Sequence, residues 1–198
     1  VIDVLRAAAP SIDFIAPDIY ITEEFDWVCD EFTRSGNLLF IPETKVGPAG
    51  AARAFYAFGK YDAIGYAPFG IDGGGLMLSA NPDDHSIEKV YGCLKNLLPM
   101  IQEYQGTDRM AGLFIDDKKR SDKIEMGDYI VSLRRNNLAG SMGLVGVQVK
   151  DEVKEDDVAA GLIVFKMADN EFLVAGGIGS SLISVTKSTT NKSENIGY

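Results

Sequence analysis

Three short apolar runs, each leading to a polar end and each followed by apolar positions at helical spacing, constrain this chain more than any other feature. The runs are residues 12–20 (IDFIAPDIY), 38–41 (LLFI) and 62–69 (DAIGYAPF). After the first, residues 22–34 place Phe25, Val28, Cys29 and Phe32 at i, i+3, i+4 and i+7, with Thr22 as expected N-cap, Glu23 and Glu24 in the first turn, and Gly36 as the stop. Residues 49–58 form the second expected helix, ended by Gly59. The third is a long stripe from Ile87 through Tyr104, ended by Gly106 and expected to kink at Pro99, which removes a backbone donor. A further helical turn over residues 1–9 stops at Pro10. Strands buried on both faces appear as unbroken apolar runs, and alternation with helices implies a parallel sheet, so the first half is α/β.

From Ala111 the pattern changes to short, β-rich, Gly-bounded segments: residues 129–135, 143–150, 161–166, 171–175 and 182–187, with Asp169-Asn170 as the turn of a hairpin. The expected organisation is therefore an α/β unit over 1–110 and an antiparallel, sandwich-like β unit over 111–198, the latter incomplete. The charged run 150–157 is a solvated loop in this reading. Val1 is not an initiator Met and residues 1–9 read as the end of an amphipathic helix, so the chain is expected to be a piece of a longer protein.

Composition removes several functions. Asp and Glu outnumber Lys and Arg by 29 to 19, and a net charge of −10 repels phosphate backbones. The longest basic cluster, Lys118-Lys119-Arg120, sits among Asp116, Asp117 and Asp122. No apolar run approaches the ~20 residues of a membrane helix. Cys29 and Cys93 lie within apolar helical patterns and are expected to be buried hydrophobes rather than a redox pair. The single histidine, His85, is expected at or near a helix cap, and Asp83-Asp84 and Asp156-Asp157 lack metal-ligand spacing.

The residue that carries chemistry is Glu43. The run LLFIPET (38–44) takes a carboxylate out of an apolar strand to its C-terminal end, where parallel βα barrels place their active sites. Position alone also allows a helix cap or a strand-end salt bridge.

The stretch over 12–44, with APDIY (16–20) and LFIPE (39–43), and the stretch over 55–72, with AIGYAPFGID (63–72), resemble the β-galactosidase-like glycoside hydrolases of families 35 and 42, and in particular the bacterial branch with an extra β domain after the barrel. The resemblance implies the C-terminal part of a (β/α)8 TIM barrel, strands six to eight, followed by that β domain. It implies that Glu43 is the nucleophile of a retaining glycosidase, with the acid/base Glu on an absent upstream segment, so that this fragment by itself is inactive. It also implies a β-galactoside substrate, no cofactor and no metal. Tyr20 resembles the tyrosine that hydrogen-bonds the nucleophile; the alternative is a rim tyrosine of the core. Phe69 either stacks under a galactose ring or packs. Asp18 and Asp72 either accept sugar hydroxyls or cap helices. Gly73-Gly74-Gly75 lacks the Lys of a phosphate loop and is expected to be a turn. Against the hydrolase stand a non-catalytic carbohydrate-binding or structural module, and a homo-oligomer joined through the β half.

Overall fold

A computed structural model of the chain describes residues 2–71, 84–136, 159–179 and 181–188. The expected strand at 143–150, the charged loop 150–157, Asp72 and Gly73–Gly75 lie outside them.

The first half contains α1 (Ile2–Ala8), β1 (Asp18–Ile19), a 3-10 turn (Thr22–Glu24), α2 (Phe25–Phe32), β2 (Phe40–Thr44), α3 (Pro48–Tyr61), β3 (Gly65–Pro68) and α4 (Ser86–Tyr104). Its strands form a parallel sheet in the order β1-β2-β3, with no closed barrel among the described residues. The second half contains β4 (Met110–Ile115), β5 (Ser121–Met126), β6 (Tyr129–Arg135), β7 (Ala160–Ala168), β8 (Glu171–Gly177) and β9 (Ser181–Lys187). These make two antiparallel sheets, β4-β7-β8 and β5-β6-β9.

Helix α3 joins the halves. Pro48 stands in its first turn, where a missing N–H costs nothing, and the Ala-rich run PAGAARAF favours helix and offers little bulk. Eleven of its 14 residues are buried. One core unites Leu39 and Ile41 of the parallel sheet, α3, Ile87, Val90, Leu94 and Ile101 of α4, and Met110, Phe114, Ile163 and Phe165 of the second half. Close approach needs missing side chains: a Cβ on Gly161 would lie 1.9 Å from the Ala52 carbonyl oxygen, and one on Gly59 would lie 2.7 Å from that of Ala111. On the other face of β4-β7-β8, Ala111, Leu113, Ile115, Leu162 and Val164 meet Met126, Val131 and Leu133 of the second sheet, a separate core. The layers run sheet, helices, sheet, sheet.

Several local expectations are corrected. Thr22 is not a side-chain N-cap: it begins the 3-10 turn, and its hydroxyl contacts Glu23 at 3.4 Å. Gly59 does not stop α3, which continues to Tyr61 and ends on a left-handed Asp62 (φ 52°); the glycine serves packing instead. Strand 12–20 shrinks to two residues, because only Asp18 and Ile19 find partners on β2. At Pro99, inside α4 and exposed, water can bond the carbonyl left without a donor, and the helix continues to Tyr104 beyond whatever bend the proline introduces. The β half gains two strands beyond those expected, β4 with its unbroken apolar run and β5 with its alternating SDKIEM. Cys29 is fully buried but Cys93 only half-buried, and loss of hydration pushes both thiols up. His85 occupies the N-cap position of α4 without capping through its ring, whose Nδ1 lies 3.1 Å from Glu88 Oε2.

Candidate active site

Glu43 owes its direction to a bulge. Leu39 and Ile41 point into the helix-side core, and strict alternation would send residue 43 after them. Between Ile41↔Tyr66 and Thr44↔Pro68, however, β2 carries one more residue than β3. Pro42 lies in that step and has no N–H to give the ladder. The extra residue reverses the phase: Thr44 takes the buried place, and Glu43 is turned out of the core and is half-buried. The Thr44 hydroxyl then donates to the Ile19 carbonyl at 2.8 Å, fixing the bulge to β1.

Across the sheet, Asp18, the first residue of β1, is the register partner of Glu43, the penultimate residue of β2. Two residues further on, the Tyr20 hydroxyl donates to Glu43 Oε2 at 2.9 Å. Tyr20 is 41% exposed. Desolvation of its hydroxyl, then the bond to Glu43 and the charges of Glu43 and Asp18, push its pKa up to about 12. At neutral pH it is therefore a phenol, a donor aimed at the carboxylate.

On the far side, Phe69 leaves β3 with its N–H bonded to the Thr44 carbonyl (2.9 Å) and its ring exposed. The β2 face opposite the helices is open. Leu38 is exposed, and Phe40 lies over Gly65, where a Cβ would come 2.4 Å from its ring, with Phe14 edge-on at 6.1 Å. Thus Glu43, Tyr20, Asp18 and Phe69 all stand at one edge of the parallel sheet, and only Glu43 and Tyr20 are in direct contact among the bonds described. Thr44 is a site residue that the expected set does not contain; its signal in the sequence is a β-branched polar residue beside the strand-end acid.

The elements around the site are tied by charges that sequence spacing does not reveal. Asp26 Oδ1 accepts hydroxyls from Tyr61 (2.6 Å) and Tyr56 (2.8 Å), with Lys60 Nζ at 3.3 Å, linking α2 to α3. Burial raises the Asp26 carboxyl, but the two tyrosines and the Lys60 charge more than offset it, and the net direction is down. Arg53, 4% exposed, meets Asp116 at 3.4 Å and stacks on Phe114 at 4.6 Å. Of the basic cluster, Lys119 pairs with Asp122, while Lys118 reaches Glu23, and that hydrogen bond is the main cause of a Glu23 carboxyl lowered to about 2.

The profile of a family described as a domain of unknown function, DUF5597, matches residues 87–197, more than half of the sequence, and the chain belongs to that family. The matched region takes in α4 and the antiparallel sheets and leaves β1–β3, with Glu43, outside. No curated protein matches the chain.

Proposed function

We propose that this chain is part of a retaining β-glycosidase, β-galactosidase-like, in which Glu43 is the nucleophile and the acid/base carboxyl comes from a segment outside the sequence. The observation that carries the reading is a carboxylate at the C-terminal end of the central strand of a parallel sheet, turned out of the core by a bulge and held by a phenol. The resemblance of LFIPE and PFGID to family 35 and 42 hydrolases supplies the substrate class. The open apolar face around Leu38 and Phe40 fits three strands of a larger parallel assembly.

The chemistry follows. Glu43 attacks the anomeric carbon and forms a glycosyl ester, while the second carboxyl, ~5–5.5 Å away, protonates the departing oxygen. That carboxyl then takes a proton from water, which attacks the same carbon and frees Glu43. Tyr20 orients one Glu43 oxygen, leaving the other to attack. Asp18 and, on resemblance alone, Asp72 would receive sugar hydroxyls, and Phe69 would lie under the apolar face of the ring. The test is Glu43→Gln in a protein that carries the acid/base segment. Loss of the nucleophile should lower turnover of an aryl β-galactoside by several orders of magnitude with the unfolding midpoint retained; undiminished turnover refutes the assignment.

A further inference from the structure

The end of the β unit holds a second place with the features of a binding site. Two hairpin turns meet there, one from each antiparallel sheet: Gly127-Asp128 between β5 and β6, and Asp169-Asn170 between β7 and β8. Gly127 takes φ +65°, as the first position of a II′ turn requires. A Cβ there would also lie 2.6 Å from Lys166 Nζ, so the glycine makes room for the ammonium group. Lys187, the register partner of Tyr129, closes the far wall. The cleft between the turns measures about 450 Å³, within the ~300–1,000 Å³ range of small-molecule sites.

The lining selects a ligand class. Lys166 and Lys187 against Asp128 and Asp169 sum to zero charge, which favours neither phosphate nor a metal ion. None of the four is ion-paired among the described residues, so their donors and acceptors remain available. Two cationic donors, two carboxylate acceptors and the Asn170 amide suit groups that both donate and accept, which hydroxyls do. Tyr129 adds a ring, braced edge-on by Phe172 at 5.3 Å and 66°, for the C–H face of a pyranose. We propose that this cleft is a non-catalytic binding site for a neutral carbohydrate of one or two rings, independent of the Glu43 site.

The experiment is an amide-resolved NMR titration of the full chain with galactose, glucose, lactose and cellobiose, and with galacturonate and inorganic phosphate as charged comparators. A neutral sugar should produce saturable shifts at Gly127, Asp128, Tyr129 and Asn170. Asp169→Ala, on an exposed turn, and Tyr129→Ala should each weaken binding about tenfold or more, as loss of a charge-assisted bond or a stacking ring implies. Glu43→Gln should leave these shifts unchanged, which separates this site from the hydrolase reading. Absence of saturable shifts with every neutral sugar, undiminished binding in Asp169→Ala, or preferential occupancy by phosphate or galacturonate each overturns the proposal.

Discussion

Asp116→Ala should destabilise the whole chain, not only the β unit. The carboxylate lies 3.4 Å from the guanidinium of Arg53, and both groups are buried. At an effective dielectric of ~20 the gross attraction at that distance is about 5 kcal/mol. Removing one partner leaves a cation in the core, a change that costs about 3–5 kcal/mol in comparable buried pairs. Two features reduce it here. Arg53 keeps the face of Phe114 at 4.6 Å and the ring of Phe25 at 5.9 Å, and it lines a cavity of about 220 Å³ that gives water access. Asp116 also accepts the backbone N–H groups of Lys118 (3.0 Å) and Lys119 (2.7 Å), so the β4–β5 turn loses its brace as well. The net expectation is a loss of about 3 kcal/mol, or a Tm lowered by roughly 6–12 °C for a chain of this size. The assay is urea and thermal unfolding followed by far-ultraviolet circular dichroism and by the fluorescence of Trp27. Because α3 shares one core with both halves, the two probes should move together. A loss below about 1 kcal/mol, or a shift confined to one of two separable transitions, refutes the reasoning. Arg53→Met combined with Asp116→Leu should recover most of the loss, since replacing both charges leaves neither stranded.

Asp26→Asn should lose about 1 kcal/mol at neutral pH, a figure discounted because the carboxylate is half exposed. Its folded pKa is depressed below 3.8, so the contribution is present above that pH and disappears as pH falls through the folded value. Wild type and variant should therefore converge in acid unfolding curves. Gly161→Ala drives a Cβ to 1.9 Å from the Ala52 carbonyl oxygen and should cost about 1–3 kcal/mol or more, whereas Gly177→Ala, with open space around it, should stay within about 0.5 kcal/mol in urea titrations. Tyr20→Phe should abolish the phenol that ionises near pH 12 in an ultraviolet titration. In a catalytically complete protein the same change should lower kcat/KM about tenfold or more with little effect on stability, as expected for a lost bond to a charged group.

The sequence showed the parallel half well, since buried strands and amphipathic helices leave opposite periodicities in Leu38–Ile41 and in Ile87–Tyr104. Element ends were less legible because tertiary contacts set them. Gly59 looks like a helix stop and is a contact point for β4, and residues 12–17 look like a strand yet form no ladder among the described residues. Glu43 and Tyr20 were both legible near strand ends, and the bond between them, which the family resemblance implied, is present at 2.9 Å. What spacing could not show was the phase reversal at Pro42, although a proline inside an apolar run marks a broken ladder. Nor does local sequence join Arg53 to Asp116, 63 residues away; the available sign was a cation in the middle of the alanine-rich run of α3, away from its Lys60 end.

The most direct measurement is to trap the glycosyl ester. A 2-deoxy-2-fluoro-β-galactoside with a good leaving group forms the ester readily and hydrolyses it slowly, so intact-mass and peptide-mass spectrometry on a catalytically complete protein can locate the sugar. One adduct is expected, on the peptide containing Glu43, and none in Glu43→Gln. An adduct on any other carboxylate, or active turnover with no covalent species, contradicts the assignment of Glu43 as nucleophile.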